Sequence, residues 1–307
     1  MRVILVACLL CLSVAAFAGQ PDAFSAGLAA YKAQDYSTAL ADFRLAAQQG
    51  DADAQYNLGV MYYQGQGVPQ DYAKAVKWFR LAAQQGDADA QYNLGQMYYG
   101  AHRDYAKALK WNRLAAHQGD ARAQAMLGTY YAGGKGAHRD YAKALKWNRL
   151  AAHQGQAIAQ YNLGVMYDNG QGVPQDYAKA VKWFRLAAQQ GDADAQYSLG
   201  VMYYYGQGVP PDYARALKWY RLAAQQGNAD AQVRLGVMYG TGQGIPQDNV
   251  EAYKWVALAK GAAKPGSKAS KAAGEGLTML APSMTPAQIA QAQQEASAWW
   301  AAHHKGG

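Results

Sequence analysis

Cysteine is nearly absent from this chain of 307 residues: Cys8 and Cys11 are the only two, and both lie within the first eighteen. Downstream of them, disulfides, thiolate metal sites and cysteine nucleophiles are excluded. Glutamate is almost as scarce, with Glu251, Glu275 and Glu295 alone, and none falls between Gly19 and Val250. Phenylalanine occurs 5 times against 24 tyrosines and 33 glycines, a bias that evenly mixed globular sequences rarely show. Charged residues make up 16% of the chain and apolar ones 51%, too little charge for disorder and enough apolar surface for a core. A chain stapled by nothing must be held by packing alone, which a long array of similar units can supply.

The N-terminus predicts export. Met1 and Arg2 form a short positive end, Val3 to Phe17 an apolar stretch broken only by Ser13, and Ala16-Phe17-Ala18 the small-x-small pattern read by signal peptidase. We read residues 1–18 as a secretory signal cleaved after Ala18, giving a periplasmic or secreted protein with no transmembrane segment left. The apolar stretch falls short of the roughly 20 residues that span a bilayer. A lipoprotein site at Leu5-Val6-Ala7-Cys8 would leave too few hydrophobic residues ahead of the cysteine to engage the export machinery.

Aligned on itself, the chain repeats every 36 residues. The tryptophans record the period: Trp78, Trp111, Trp147, Trp183, Trp219 and Trp255 are spaced by 33 and then by 36 four times. Residues 101–119 are identical to 137–155, as expected of internal duplication. Each unit predicts two antiparallel helices. In the first unit Asp51 caps one helix and Asp53 lies in its first turn, with Ala54, Leu58, Met61 and Tyr62 on its apolar face. Gly65-Gln66-Gly67-Val68-Pro69 breaks that helix, and Asp71 caps a second whose expected buried stripe is Tyr72, Ala75, Trp78, Phe79 and Ala82, with Gly86 as a left-handed C-cap.

Positions filled identically in every copy point to architecture. Gly59, Gly95, Gly128, Gly164, Gly200 and Gly236 stand in mid-helix, where glycine costs about 1 kcal/mol against alanine, so a close approach by the paired helix is expected. By the same logic Tyr62, Tyr98, Tyr131, Tyr167, Tyr203 and Tyr239 and the tryptophan ladder are expected in the core. The chain then divides into a signal (1–18), an N-terminal partial repeat (19–50), six repeats (51–86, 87–119, 120–155, 156–191, 192–227 and 228–261), and a linker with C-terminal capping helices (262–307), where Thr285-Pro286-Ala287-Gln288 is a capping-box helix start.

This pattern resembles the Sel1-like repeat family, a relative of the tetratricopeptide repeat. The resemblance rests on Ala54-Gln55-Tyr56-Asn57-Leu58-Gly59, Met61-Tyr62, Gly65-x-Gly67-Val68, Asp71-Tyr72, Lys74-Ala75, Trp78 and Ala82-Ala83 with Gly86, and on their counterparts in the later units. It implies an all-α fold, a right-handed α-solenoid of stacked antiparallel helix pairs whose first helices line a concave face. By analogy with tetratricopeptide arrays, three rows of residues face a ligand. The first is Tyr56, Tyr92, Ala125, Tyr161, Tyr197 and Val233. The second is Val60, Gln96, Thr129, Val165, Val201 and Val237, and the third Tyr63, Tyr99, Ala132, Asp168, Tyr204 and Gly240. The rows vary where the frame does not, and an opening is expected at Ala125 and Ala132, with Arg122 beside it. Two readings stand: an aromatic groove for a peptide segment or protein loop, or tyrosines that merely pack on neighbouring helices.

The net charge of +8 is uneven. Residues 102–155 carry Arg103, Lys107, Lys110, Arg113, Arg122, Lys135, Arg139, Lys143, Lys146 and Arg149 against Asp104, Asp120 and Asp140. Such a field steers an acidic protein or an envelope glycan, or is a solvated face copied with its unit. The export signal argues against nucleic acid. His102, His117, His138 and His153 belong to the same segment, but equivalent positions in packed helices sit about 10 Å apart, too far to share a metal, so no metal or cofactor is expected.

No catalytic residue is assigned. No serine from Ser25 onward has lysine three residues later, and no His-Glu-x-x-His or Gly-x-Ser-x-Gly occurs. Some members of the resembled family have been proposed to bind or hydrolyse β-lactams; the absent Ser-x-x-Lys leaves that the weakest reading here. The sequence reading is an exported protein-interaction scaffold, with a glycan or cell-wall binder as the alternative.

Overall fold

The computed structural model describes residues 22–100 and 103–303. The leader with Cys8, Cys11 and Ala18, and also His102 and His304, lies outside the described residues. Every regular element described is helical. In chain order they are α1 (Ala23–Lys32), α2 (Tyr36–Gln48), α3 (Ala52–Gln64), α4 (Tyr72–Gln84), α5 (Ala88–Gly100), α6 (Tyr105–His117), α7 (Ala121–Gly133) and α8 (Tyr141–His153). They continue as α9 (Ala157–Asn169), α10 (Tyr177–Gln189), α11 (Ala193–Tyr205), α12 (Tyr213–Gln225), α13 (Ala229–Thr241), α14 (Asn249–Ala262), α15 (Lys268–Leu280) and α16 (Pro286–His303), with a 3-10 turn, Ala281–Ser283, before the last.

Local signals in the sequence set these ends. The Asp51 carboxylate accepts from the Ala54 N–H at 2.7 Å and the Asp71 carboxylate from the Lys74 N–H at 2.9 Å, each satisfying a donor that the helix leaves free. Gly65 ends α3 in the left-handed region, and Gly86 follows α4 at a φ of 100°. The second glycine of each Gly-x-Gly turn has a further reason: a Cβ on Gly172 would lie 2.9 Å from the carbonyl oxygen of Tyr141, at the start of the preceding second helix. At the C-terminus, the Gln288 N–H donates to Thr285 Oγ1 at 3.2 Å and the Thr285 N–H to Gln288 Oε1 at 2.9 Å, the reciprocal box read from the sequence.

The helices fall into two units. Unit 1 comprises the described residues up to 130 together with 134–138; unit 2 comprises 131–133 and 139–303. In unit 1, α1 pairs with α2, α3 with α4 and α5 with α6, and each pair stacks on the next. The segment read as a partial repeat is thus a complete pair, and Gly27 in α1 faces Phe43 in α2. Unit 2 repeats the plan with α9/α10, α11/α12 and α13/α14, and α15 and α16 pack on α14.

The mid-helix glycines receive a side chain from the paired helix. A Cβ at Gly164 would lie 2.4 Å from Phe184 Cδ1, and one at Gly200 would lie 2.6 Å from Tyr220 Cδ1. Phe79, Phe184 and Tyr220 are almost wholly buried in this position. At Gly95 the paired residue is instead Asn112, also fully buried. Its Nδ2 donates to the Ala108 carbonyl at 2.9 Å and to Tyr130 Oη at 3.3 Å, so a ring that most pairs carry on the second helix is carried here by the next first helix.

A buried amide row stitches pair to pair, and nothing in the apolar periodicity announces it. Gln55, Gln91, Gln124, Gln160, Gln196 and Gln232 are buried, and each donates to a carbonyl at the end of the preceding second helix, for example Gln196 Nε2 to Ala188 at 3.2 Å. The oxygens of Gln55, Gln91, Gln160 and Gln196 accept from the glutamine that follows the second helix of the same repeat, as from Gln226 Nε2 to Gln196 Oε1 at 2.8 Å, whereas Gln232 Oε1, in the last repeat, is buried without a donor among the described residues. A buried amide with both ends satisfied fixes register.

The expected stripe on the second helix needs correction. Ala75, Phe79 and Ala82 are buried, but Tyr72 is 50% exposed because, as the first residue of α4, it lies outside the contact and rests on Tyr63, with ring centroids 5.4 Å apart. The tryptophan ladder is only partly core. Trp147 and Trp255 are buried, whereas Trp78, Trp111, Trp183 and Trp219 are half-buried. Of the repeated tyrosines, Tyr62, Tyr98, Tyr131 and Tyr203 are buried as expected, whereas Tyr167 and Tyr239 are only half-buried; the hydroxyls are tethered, Arg44 donating to Tyr62 Oη at 2.9 Å, Arg80 to Tyr98 at 2.7 Å and Arg221 to Tyr239 at 2.8 Å.

Candidate binding groove

In unit 1 the first helices α3 and α5 enclose a cavity of about 650 Å³. Tyr56, Val60 and Tyr63 line it from α3, Tyr92 and Gln96 from α5, and Tyr72 and Phe79 from α4. The first five come from the three rows that the sequence assigns to a ligand face. The size falls within the range of ligand pockets, and the lining is wholly uncharged, aromatic rings with a few amides.

Repeat geometry places these rings. The residue two before the invariant leucine emerges beside the side chain that fills the glycine notch, so Tyr56 rests tilted on Phe79 at 5.8 Å, Tyr161 on Phe184 at 5.8 Å and Tyr197 on Tyr220 at 5.9 Å. Each is half-buried and packs on that ring. Burial raises the phenols of Tyr56 and Tyr92 and pushes that of Tyr161 up to about 12. Tyr92 has Asn112 where the others have a ring, and its face is taken by the Arg122 guanidinium 4.5 Å from the centroid.

Gln96 carries the clearest chemical signal. Its counterparts are Val60, Thr129, Val165, Val201 and Val237, and its Nε2 is buried without an acceptor among the described residues. A buried amide donor left unpaired is costly, and an acceptor entering the groove would relieve it. Sequence reading marked Gln96 by its row; the missing partner is visible only in coordinates.

The expected opening in the third repeat is filled. Ala125 is 3% exposed; in the same unit Tyr99 stacks on Tyr130 at 5.3 Å and Lys135 Nζ donates to Tyr99 Oη at 2.7 Å. Arg122 does not face an open gap, since it is ion-paired with Asp89 and Asp120, which hold its guanidinium above its ordinary value. Thr129 Oγ1 donates to the Ala125 carbonyl at 3.2 Å. In unit 2, Tyr204 stacks edge-on against Tyr213 at 5.2 Å and bonds Gln243, while Asp168 is half-buried, with its carboxyl raised by burial.

The basic residues of 102–155 divide between the units, Arg103, Lys107, Lys110, Arg113 and Lys135 in unit 1 and Arg139, Lys143, Lys146 and Arg149 in unit 2. Several have structural partners. Lys107 pairs with Asp104 at 2.8 Å and Lys143 with Asp140 at 3.0 Å; Arg149 donates to Tyr167 Oη at 3.3 Å, and Arg139 lies over Tyr141. Among the described residues no three histidine, cysteine, aspartate or glutamate side chains gather to hold a metal. No described helix is long and apolar enough to cross a membrane.

Six successive segments, 52–87, 88–120, 121–156, 157–192, 193–228 and 229–260, match the model of the Sel1 repeat. The chain belongs to the Sel1 repeat family. It is similar to a Sel1 repeat protein from Oxalobacter formigenes, with 34% identity over 81% of this chain and 100% of that one and a TM-score of 0.72. It is also similar, at 26% identity over 91% of each chain and a TM-score of 0.60, to c5321, a protective antigen of uropathogenic Escherichia coli strains with the same repeat fold. Comparison with curated proteins gave no match. Sel1 repeats in general mediate protein–protein interaction, and their solenoid is in general a non-enzymatic scaffold.

Proposed function

We propose that this Sel1 repeat protein is an exported scaffold that seats an uncharged segment of a partner protein or peptide in the tyrosine-lined groove between α3 and α5. The observation that carries the reading is the conjunction of a ligand-sized aromatic cavity with the unpartnered Gln96 Nε2, a donor suited to a backbone carbonyl. Rings already held by Phe79 and by Arg122 lose little freedom when a segment arrives, which is the advantage of a preorganised surface. Without Arg2 of the leader the chain carries 28 basic and 21 acidic residues, and this net +7 steers an acidic partner toward the seat without charge in the groove itself.

The test is selection of peptides on the mature chain purified from an exported fraction, whose mass should equal residues 19–307. Tyr56→Ala with Gln96→Ala should weaken the selected peptides at least tenfold while the helical signal stays constant. Unchanged affinity refutes the groove, and a retained leader refutes export. The same uncharged aromatic and amide lining also favours a neutral glycan; cell-wall oligosaccharides that bind where peptides do not would decide for it.

A further inference from the structure

The second helices carry a different surface. In α4, α6, α8, α10 and α12 three basic residues recur at fixed places, and within these helices no acidic residue occurs. Two of the three have structural duties. The first pairs with the N-cap aspartate, as Lys179 with Asp176 at 2.8 Å and Arg215 with Asp212 at 3.2 Å. The third tethers a tyrosine of the next first helix, as Arg185 does Tyr203 at 3.1 Å. The middle residue is Lys77, Lys110, Lys146, Lys182 or Lys218. It is exposed in every copy and has no carboxylate within ion-pairing distance among the described residues.

Each middle lysine precedes a tryptophan of the ladder, and one turn on stands a leucine: Leu114, Leu150, Leu186 and Leu222 are 36–44% exposed. An identical residue in each copy ordinarily marks architecture, yet this lysine holds nothing except, in most copies, the neighbouring indole, with Lys146 and Lys218 each 5.8 Å from the ring centroid.

The sixth repeat shows the same face covered. Lys254, Trp255 and Leu258 occupy the equivalent positions on α14, and α16 packs over them. Lys254 pairs with Glu251 and, at 3.4 Å, with Glu295 of α16. Trp255 Nε1 donates to Glu251 at 2.9 Å, and its ring meets Trp299 edge-on at 6.0 Å. Leu258 is 3% exposed, in one cluster with Ala296 and Trp299. The covering helix therefore offers Ala292, Glu295, Ala296 and Trp299, spaced along one face: small residues for close approach, a carboxylate for the lysine and an indole for the indole.

We infer that the Lys-Trp-Leu faces of α10 and α12 in unit 2, and those of α4 and α6 in unit 1, where the tryptophan is half-buried, are docking sites for an acidic, aromatic, amphipathic helix of a partner protein, built like α16. Charge complementarity and the chain's own covered copy both point to this occupant. One difference sharpens its chemistry. On α14 one carboxylate is internal, Glu251, whereas the corresponding residues elsewhere are Lys74, Lys107, Lys143, Lys179 and Arg215. A visiting helix must bring both carboxylates itself, and so must be more acidic than α16. This surface is separate from the tyrosine groove, and either stands if the other fails.

A labelled peptide of residues 285–303 carrying Gln291→Glu, adding a second carboxylate one turn before Glu295, tests the inference by fluorescence anisotropy on the full mature chain. Saturable binding is expected, weakened at least tenfold by Lys77→Glu/Lys110→Glu/Lys182→Glu/Lys218→Glu in the protein, by Glu295→Lys in the peptide, and by 0.5 M salt. The four lysines are exposed and have no carboxylate partner among the described residues, so circular dichroism of the quadruple variant should match the parent. No binding overturns the inference, as does binding unchanged in the quadruple variant, which would mean exchange with the resident α16. Lysine-dependent binding to phosphatidylglycerol vesicles without peptide binding would overturn it in favour of a lipid surface.

Discussion

Replacing Gly164 with alanine places one methyl group against the ring of Phe184, where the new carbon would stand 2.4 Å from Cδ1 and 2.5 Å from Cε1. Two opposing terms decide the outcome. Alanine in mid-helix gains about 1 kcal/mol over glycine. Overpacking a filled core costs about 1–3 kcal/mol, and here the ring has little room to retreat because Phe184 is 1% exposed and bears Tyr161 on its other side. The net expectation is a loss of about 1 kcal/mol, rising to about 3 kcal/mol for Gly164→Leu, which adds bulk without the full propensity gain. Urea unfolding followed by far-ultraviolet circular dichroism and by tryptophan fluorescence measures it, since Trp183 adjoins the site. Repeat arrays depart from two-state behaviour, so the reference is Gly261→Ala, a helical glycine with nothing within 4 Å, which should stabilise by up to about 1 kcal/mol. The decisive arm is a double-mutant cycle. Phe184→Ala alone costs about 3–5 kcal/mol, but in that background Gly164→Ala should become neutral or stabilising. An equal penalty in both backgrounds would show that the methyl group meets something other than the ring, and the account of the repeated glycines would fail.

Two further outcomes follow from the same packing. Asn112→Phe should overpack and Tyr130→Met should leave a void beside Asn112, each costing about 1–3 kcal/mol; the double variant restores the ring-and-methionine combination of Phe184 with Met202 and should recover most of the loss in urea unfolding. Burial holds the phenols of Tyr130, Tyr161 and Tyr220 above the ordinary value of 10.0, Tyr161 at about 12. The neutral form is thus favoured in the fold, and its stabilising contribution is complete below pH 10 and lost as pH rises from 10 through 12. Helical signal should therefore fall before the last tyrosines ionise at 295 nm, and complete ionisation near pH 10 with helices intact would contradict the burial.

Much of this fold was legible because each repeat states it again. Caps, turns, mid-helix glycines and the Ala54, Leu58, Met61, Tyr62 face all follow from single residues whose consequences are local or periodic. What escaped has a common physical cause. Tyr72 and Trp78 are apolar and lie on the helical period, but burial depends on where the neighbouring pair stops, and periodicity within one helix carries no record of that. The glutamine row escaped because an amide reads as surface until both its ends are seen to be satisfied. Asn112 escaped for the converse reason, because it is small only in company with Tyr130, and a compensated pair looks like two unrelated deviations in a string of letters.

The rows on the first helices were legible as a surface and opaque as a site. Their variation marks them as free of the frame, yet variation does not distinguish Gln96, whose amide lacks an acceptor, from Thr129, whose hydroxyl is satisfied within its own helix. The lysines of the second helices invert the rule. They are constant like the frame, and constancy alone assigned them to it or to a duplicated solvated face. Only the sixth copy breaks the tie. There the lysine, tryptophan and leucine of α14 lie beneath Glu295 and Trp299, and the leucine that is open in earlier copies is closed. A repeat chain in which one copy is capped by its own terminus contains a worked example of what its uncapped copies can accept. The chemistry of that cap, small, acidic and aromatic along one helical face, is therefore evidence about a partner as much as about the end of the array.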